Sequence, residues 1–360
     1  MLYRMVEYNA SDLHIRVGAP PFLRIEGVLN PLDNQKVTIE DTEKIFHNIL
    51  TDIHKEKFQK EFSLDTSYSI KDFRRFRVNV FQQQGTISFA FRSIPTSIPT
   101  IESLGLPQVL KTLCDKPYGL VLVAGPTGCG KTTTLAAMIE YINNTQTKHI
   151  ITIEDPIEFA FSDLKSFITQ REVGLDTPFF DIALKDALRQ DPDVILLGEM
   201  RSVETISTVL SATETGHLIF STIHANSAYD TVARIVDAFP VELRSQVRIQ
   251  LSNALLGTVS QRLVPRSDGS GRGAAVEILI ANSRIKELIA KNQLKDIREE
   301  MEKSVTLYRM QSLEQSLIAL IANKIVSYED ALKVTLMPED MKLTMDQMGI
   351  SETGDVRQFD

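Results

Sequence analysis

The chain has 360 residues, 43% of them hydrophobic and 24% charged, which are the proportions of a folded globular protein with room for more than one domain. A net charge of −8 leaves no overall positive field to gather nucleic acid, so none is expected as a ligand. No apolar stretch approaches the roughly 20 residues of a membrane span, and Arg4 and Glu7 interrupt the start, so a cytoplasmic protein without direct membrane insertion is expected.

In chain order, residues 1–94 read as a small α+β unit. Leu13–Val17 and Phe22–Glu26 have strand character around a Gly-Ala-Pro-Pro turn. Thr38–Lys60 carries helical spacing at Ile45, Ile49 and Ile53, with Thr51-Asp52 dividing it into two helices. Arg74–Phe81 and Thr86–Arg92 alternate as half-buried strands do. Residues 95–107, rich in Pro, Ser and Thr, read as a linker. From 108 to 282 strand and helix patterns take turns, which predicts a parallel α/β sheet. Residues 283–337 are helical in pattern, and the polar, acidic tail 338–360 is expected to be loosely ordered. Cys114 and Cys129 are the only cysteines, too few for a disulfide framework or a structural zinc site.

The core opens on its most specific motif. Gly125-Pro126-Thr127-Gly128-Cys129-Gly130-Lys131-Thr132 fits G-x-x-x-x-G-K-[ST]. Its glycines let backbone N–H groups turn inward around phosphates, Lys131 can reach the outer phosphates, and the Thr132 hydroxyl can ligate Mg²⁺. The apolar run Gly119–Ala124 precedes it, and a helical segment follows from Thr133, so a bound phosphate would lie at a helix N-terminus. A nucleotide-binding site using ATP and Mg²⁺ is the expectation, with Gly125 to Thr133 as its cradle.

Three further apolar runs end in polar chemistry. His149–Ile153 leads into Glu154-Asp155-Pro156-Ile157-Glu158, Val194–Leu197 into Gly198-Glu199-Met200-Arg201, and Leu218–Ile223 into His224. In open parallel sheets ligands bind beyond the carboxyl ends of the strands, so these residues are candidates for a catalytic edge. Phosphoryl transfer needs charge neutralisation and an aligned water. Glu199 is assigned to Mg²⁺, Glu158 to orienting or deprotonating the attacking water, and His224 to sensing the γ-phosphate. His217, at the other end of its strand, would lie ~23 Å from His224 at the usual rise per residue; a structural or intersubunit role is expected. Arg77 and Arg92, in the densest basic group of the N-terminal unit, are candidates for an arginine supplied to the phosphates from another domain or subunit. Cys129 sits at a helix N-terminus, a position that lowers a thiol pKa; it reads first as a small serine-like residue, and sensitivity to alkylation is the functional alternative.

Together these motifs resemble the secretion ATPase superfamily of ring-forming P-loop motors, and within it the type IV pilus retraction ATPases, the PilT family. The resemblance runs from Ala10-Ser-Asp-Leu-His-Ile15, Gly18-Ala-Pro-Pro-Phe-Leu-Arg-Ile25 and Phe76-Arg-Val-Asn-Val-Phe81 through the phosphate loop. It continues in Thr152–Glu158 (the family's Asp box), Leu197–Arg201 (its Walker B) and Thr215–His224 (its His box). It implies a PAS-like N-terminal domain, a RecA-like ATPase core and a homohexameric ring. In that ring the N-terminal domain of one subunit would close on the nucleotide of another, bringing Arg77 and Arg92 to the phosphates. Hydrolysis of ATP to ADP and phosphate would drive pilus retraction and twitching motility through an inner-membrane platform protein, placing the motor at the inner face of the cytoplasmic membrane. Assembly and type II secretion ATPases usually add an N-terminal region and a four-cysteine zinc site, neither of which is seen here. The helix that reads Ala-Ile-Arg-Asn-Leu-Ile-Arg-Glu in retraction members is Arg284-Ile-Lys-Glu-Leu-Ile-Ala-Lys291 here, with Ile285, Leu288 and Ile289 kept. The alternatives are an assembly or type II secretion motor, and a weakly hydrolysing nucleotide-binding regulator of another motor.

Overall fold

Period-two burial organises the N-terminal part of the chain, and continuous burial organises the rest. The computed structural model describes residues 1–71, 73–94 and 97–355. Residues 95 and 96 of the expected linker and 356–360 of the expected tail lie outside the described residues. Two compact units emerge. The first comprises 1–97 with 154–162 and 170–179; the second comprises 98–153, 163–169 and 180–360.

In the first unit, six strands form an antiparallel sheet: β1 (Asp12–Ile15), β2 (Phe22–Ile25), β3 (Val28–Pro31), β4 (Ser63–Ile70), β5 (Arg74–Gln83) and β6 (Thr86–Ser93), in the order β3-β2-β1-β6-β5-β4 among the described residues. Phe76, Val78 and Val80 of β5 and Phe89 and Phe91 of β6 are buried in a core shared with Phe46 and Phe58. Those two phenylalanines come from helices Ile39–Ile49 and Asp52–Glu61. The division at Thr51-Asp52 is real. Thr38 and Asp41 form a capping box at the first helix, and Thr51 accepts from the His54 amide to cap the second. β3 and β4 are not legible in the sequence. All four residues of β3 are exposed, and in β4 only Leu64 and Thr66 are buried, so neither presents an apolar alternation.

The second sheet has seven strands among the described residues: β7 (Gly119–Ala124), β8 (His149–Glu154), β9 (Phe167–Glu172), β10 (Val194–Leu197), β11 (Leu218–Ile223), β12 (Leu255–Pro265) and β13 (Arg272–Ile280), ordered β13-β12-β7-β11-β10-β8-β9. β12, β7, β11, β10 and β8 run parallel. Of these, β7, β10 and β11 are buried on both faces, with unbroken apolar runs in β7 and β10 and a buried Ser221-Thr222 pair in β11. The expected parallel α/β core is thus present, and β13 adds an antiparallel edge through a hairpin with β12. Helices follow from Ser283, among them Ser283–Ala290 and Leu313–Ala322. The tail departs from the expectation of loose order. Pro338–Gln347 is a helix started by a proline in its first turn, and Met341 and Met345 are buried in a cluster with Leu313, Leu317 and Ile321. Two methionines four residues apart give that helix an apolar stripe too sparse to stand out in an acidic sequence.

Candidate active site at the strand ends

The four strands that end in chemistry are consecutive in the sheet: β7, β11, β10, β8. Their register aligns their ends. Ile223 pairs with Ala124, and Leu197 pairs with both Ser221 and Ile153. The chain therefore leaves the sheet on the same edge at Gly125, His224, Gly198 and the end of β8 at Glu154.

The phosphate loop has the backbone that its glycines allow. Gly125, Gly128 and Gly130 lie at φ 145°, 78° and 90°. A Cβ at Gly125 would sit 2.5 Å from Cys129 Sγ and 2.6 Å from the Gln261 carbonyl oxygen, and one at Gly130 would meet Gln261 Nε2 at 2.8 Å. Helix Lys131–Thr145 starts directly after Gly130. Lys131 Nζ donates to the Gly125 and Pro126 carbonyls, 2.9 and 3.0 Å away, which holds the ammonium over the loop. Buried Gln261, on β12, fastens the cradle from behind. It donates to the Cys129 carbonyl and accepts from the Thr134 hydroxyl, both at 2.7 Å. A recess of about 520 Å³ opens beside Gly130 and Thr133, walled by Leu104, Leu263, Arg266 and Arg272. A second, of about 410 Å³, is lined by Gly125, Pro126, His224, Asn226 and Arg234.

The loop after β10 is stitched to its neighbours. Ser221 Oγ donates to the Leu197 carbonyl, Thr222 Oγ1 to the Gly198 carbonyl, and the Gly198 amide to the Ile153 carbonyl, at 2.8, 2.6 and 2.8 Å. Glu199, mostly buried, pairs with Arg201 Nε at 2.7 Å. His224 has its pKa lowered, first by burial and then by the Lys131 charge, with Glu199 opposing. Its imidazole is therefore neutral near pH 7. His217, at the opposite end of β11, places Nδ1 3.0 Å from the Ala212 carbonyl and 3.1 Å from the Thr215 hydroxyl, a local structural use.

These groups fit a magnesium nucleotide. The cradle excludes any Cβ at Gly125, and the Thr132 hydroxyl and Glu199 carboxylate are oxygen donors of the kind magnesium takes. Among the described residues no cluster of three or more His, Cys, Asp or Glu forms a ready-made metal cage. Magnesium does not require one, since it is usually held through one or two carboxylates, water and substrate phosphates.

The Type II/IV secretion system protein family matches residues 1–347. The chain belongs to that family. It is a P-loop ATPase of the secretion type. The type IV pilus retraction ATPase PilT of Pseudomonas aeruginosa is 42% identical over 332 residues, spanning 92% of this chain and 96% of PilT. The twitching motility protein of Neisseria gonorrhoeae is 41% identical over 89% of this chain and 86% of its own length. The crystal structure of the pilus retraction motor PilT with bound ADP superposes with a TM-score of 0.88 at 45% identity, covering 95% of this chain and 98% of that one. The Legionella pneumophila ATPase DotB follows at a TM-score of 0.82 and 26% identity, covering 96% and 94%.

The remaining candidates of this secretion-type ATPase lie in the first unit. Arg77 stands 3.8 Å from Asp65, and Arg92 Nε donates to Asp12 Oδ1 at 2.9 Å. Glu158 is half-buried in the turn that follows β8. Asp155 in the same turn reaches solvent, yet the protein atoms around it raise its pKa, with Lys57 and Arg77 pulling the other way. Asp155, Lys57, Arg77 and Asp65 line an open cleft of about 960 Å³ within this unit. Cys129 corrects the expectation of a lowered thiol pKa. Burial is the largest influence and pushes the thiol up, outweighing Lys131 and the loop amides. Gln261, Gln170 and Glu172 lie outside the sequence motifs; their only local signal is alternation, in Thr258-Val-Ser-Gln261 and in Phe167-Ile-Thr-Gln-Arg-Glu172, which marks strands next to the four that end in chemistry.

Proposed function

We propose that this ATPase powers the retraction of a type IV pilus. Its similarity to PilT over nearly the full length of both chains is the observation that carries the reading, and the four aligned strand ends supply its chemistry. ATP places its phosphates in the Gly125–Thr133 cradle, with Lys131 on the outer phosphates and the adenosine toward the recess walled by Leu263, Arg266 and Arg272. Thr132 and Glu199 would hold Mg²⁺, which neutralises phosphate charge when bound. Glu158 orients a water and takes its proton as the water oxygen adds to the γ-phosphorus and the bond to ADP breaks. His224, neutral, senses the γ-phosphate. Arg77 and Arg92 supply positive charge to the phosphates of another subunit in a homohexamer, whose sequential motions act on an inner-membrane platform protein. The motor works at the cytoplasmic face of that membrane; among the described residues no helix is long and apolar enough to cross it.

A second reading, an assembly motor or a companion of another motor, is favoured by helix Ser283–Ala290. Its apolar Ile285, Leu288 and Ile289 are fully buried, while Arg284 and Glu287 on the helix and Lys291 just after it form an ion-pair chain in place of the retraction pattern. Against a zinc-bearing assembly motor stand two cysteines in all. Phosphate release by the purified chain, compared with Glu199→Gln, tests the chemistry; equal rates would remove it. Deletion in cells separates the motors: lost twitching with surface pili retained means retraction, and lost pili mean assembly.

A further inference from the structure

Glu158 is flanked on both sides by hydrogen bonds to one neighbouring strand. The amide of Ile157, just before it, donates to Glu172 Oε2 at 3.0 Å. The carbonyl of Phe159, just after it, accepts from Gln170 Nε2 at 2.9 Å. Gln170 Oε1 then accepts from the Phe161 amide at 2.9 Å, and Nε2 also reaches Glu154 Oε1 at 3.2 Å. The Val173 amide donates to the Glu154 carbonyl at 2.8 Å. Gln170 and Glu172 are alternate residues of β9, so they leave the strand on the same side. Both ends of the Gln170 amide are used in complementary sense, and turning it over would set like groups against the Phe159 carbonyl and the Phe161 amide.

Glu172 is 2% exposed. A carboxylate so deeply buried is costly unless it is paired and hydrogen-bonded. Its partners come from the N-terminal sheet. Arg75 Nη2 lies 2.5 Å from Oε2, and Ser67 Oγ donates to Oε1 at 2.8 Å while accepting from Arg75 at 2.6 Å. The chain of contacts therefore runs from β4 and β5 through Glu172 to the peptide next to Glu158, all within the first unit.

We infer that Gln170 and Glu172 are positioning residues for Glu158. They fix the backbone on either side of it, and Arg75 with Ser67 anchors Glu172 to the N-terminal sheet. The inference rests on the proposed role of Glu158 in aligning water. A displacement of the order of 1 Å at a reacting group costs as much as roughly a hundredfold in rate.

The test uses the full chain and four variants: Gln170→Ala, Glu172→Gln, Glu158→Gln and the double variant Gln170→Ala/Glu158→Gln. Gln170 is only half-buried, so its replacement leaves a folded protein even where a Glu172 variant does not. Gln170→Ala and Glu172→Gln are each expected to lower kcat roughly tenfold or more, with ATP affinity within about twofold of the parent because the phosphate cradle is untouched. Amide exchange over residues 155–161 should quicken while the phosphate loop stays protected. The double variant should be no slower than Glu158→Gln alone, since misplacing an absent carboxylate costs nothing. Full turnover by folded Gln170→Ala, beside an inactive Glu158→Gln, would overturn the positioning role alone. Losses that multiply in the double variant would do the same. Full turnover by Glu158→Gln would remove the role of Glu158 and this inference with it.

Discussion

Arg77 and Arg92 stand directly opposite each other on β5 and β6. Like charges in that relation repel, and each is held by a carboxylate on its far side. Asp12, the β1 partner of Arg92, takes its Nε, and Asp65 lies 3.8 Å from Arg77. The Arg92 side chain is still 68% exposed, so these pairs contribute little to stability. In the proposed function both guanidiniums would serve the phosphates of a neighbouring subunit. Arg92→Ala is therefore expected to lower turnover by about a thousandfold, the usual range for an arginine supplied to a phosphoryl group. Melting temperature and nucleotide affinity should hardly change. Phosphate release and fluorescent-nucleotide titration of the purified variant check this; normal turnover would take Arg92 out of the site.

Cys129 lies inside the phosphate loop, yet 4% of it is exposed and its Sγ packs under Gly125. With the thiol pKa raised by burial, little thiolate forms near pH 7. Maleimide should label the native protein slowly, at a rate that ATP does not alter, and fully only after denaturation. Cys129→Ser should keep nucleotide binding. Fast labelling that ATP blocks would show an exposed, reactive thiol instead.

The four aligned strand ends are legible in the sequence and the residues that brace them are not, for one physical reason. Motif glycines, the lysine and the strand-end acids are read locally, because backbone conformation and strand polarity place them. Gln261, Gln170 and Glu172 act through partners 9 to 132 residues away, as in the Gln261–Cys129, Gln170–Phe161 and Glu172–Arg75 bonds. No local pattern records such pairings. β3 is not legible because all its residues face solvent, β4 because only Leu64 and Thr66 turn inward, and the helix at 338–347 because two methionines carry its burial. The two-helix division at Thr51 was legible because capping is a local interaction.

That terminal helix is expected to contribute to stability. Met341 is fully buried and Met345 nearly so. Met341→Ala should cost about 2–5 kcal/mol, as other buried large-to-small changes do. Denaturant unfolding would measure it. A loss below about 0.5 kcal/mol, typical of surface substitutions, would mean that the helix does not hold to the core in solution.

Glu277 sets a pH dependence. Its carboxylate accepts from the Ala228 amide at the start of helix Ala228–Asp237, a helix that follows closely on His224. Burial raises its pKa to about 7, with Glu314 and Asp230 adding to the rise and the Ala228 bond and Arg298 opposing it. Between the unfolded value near 4.5 and about 7, the folded chain binds more protons than the unfolded chain. Stability from this group is thus fully present below about pH 4.5 and is lost as pH rises through 7. Each pKa unit is worth ~1.4 kcal/mol, which sets the full effect at about 3 kcal/mol. Glu277→Gln cannot ionise and removes that slope. Relative to the parent, it should gain stability at pH 8 over pH 5, by up to that amount, with the Ala228 bond kept by the amide oxygen. Urea unfolding of both proteins at the two pH values decides it. Parallel pH profiles would show that Glu277 titrates as an ordinary solvated carboxylate.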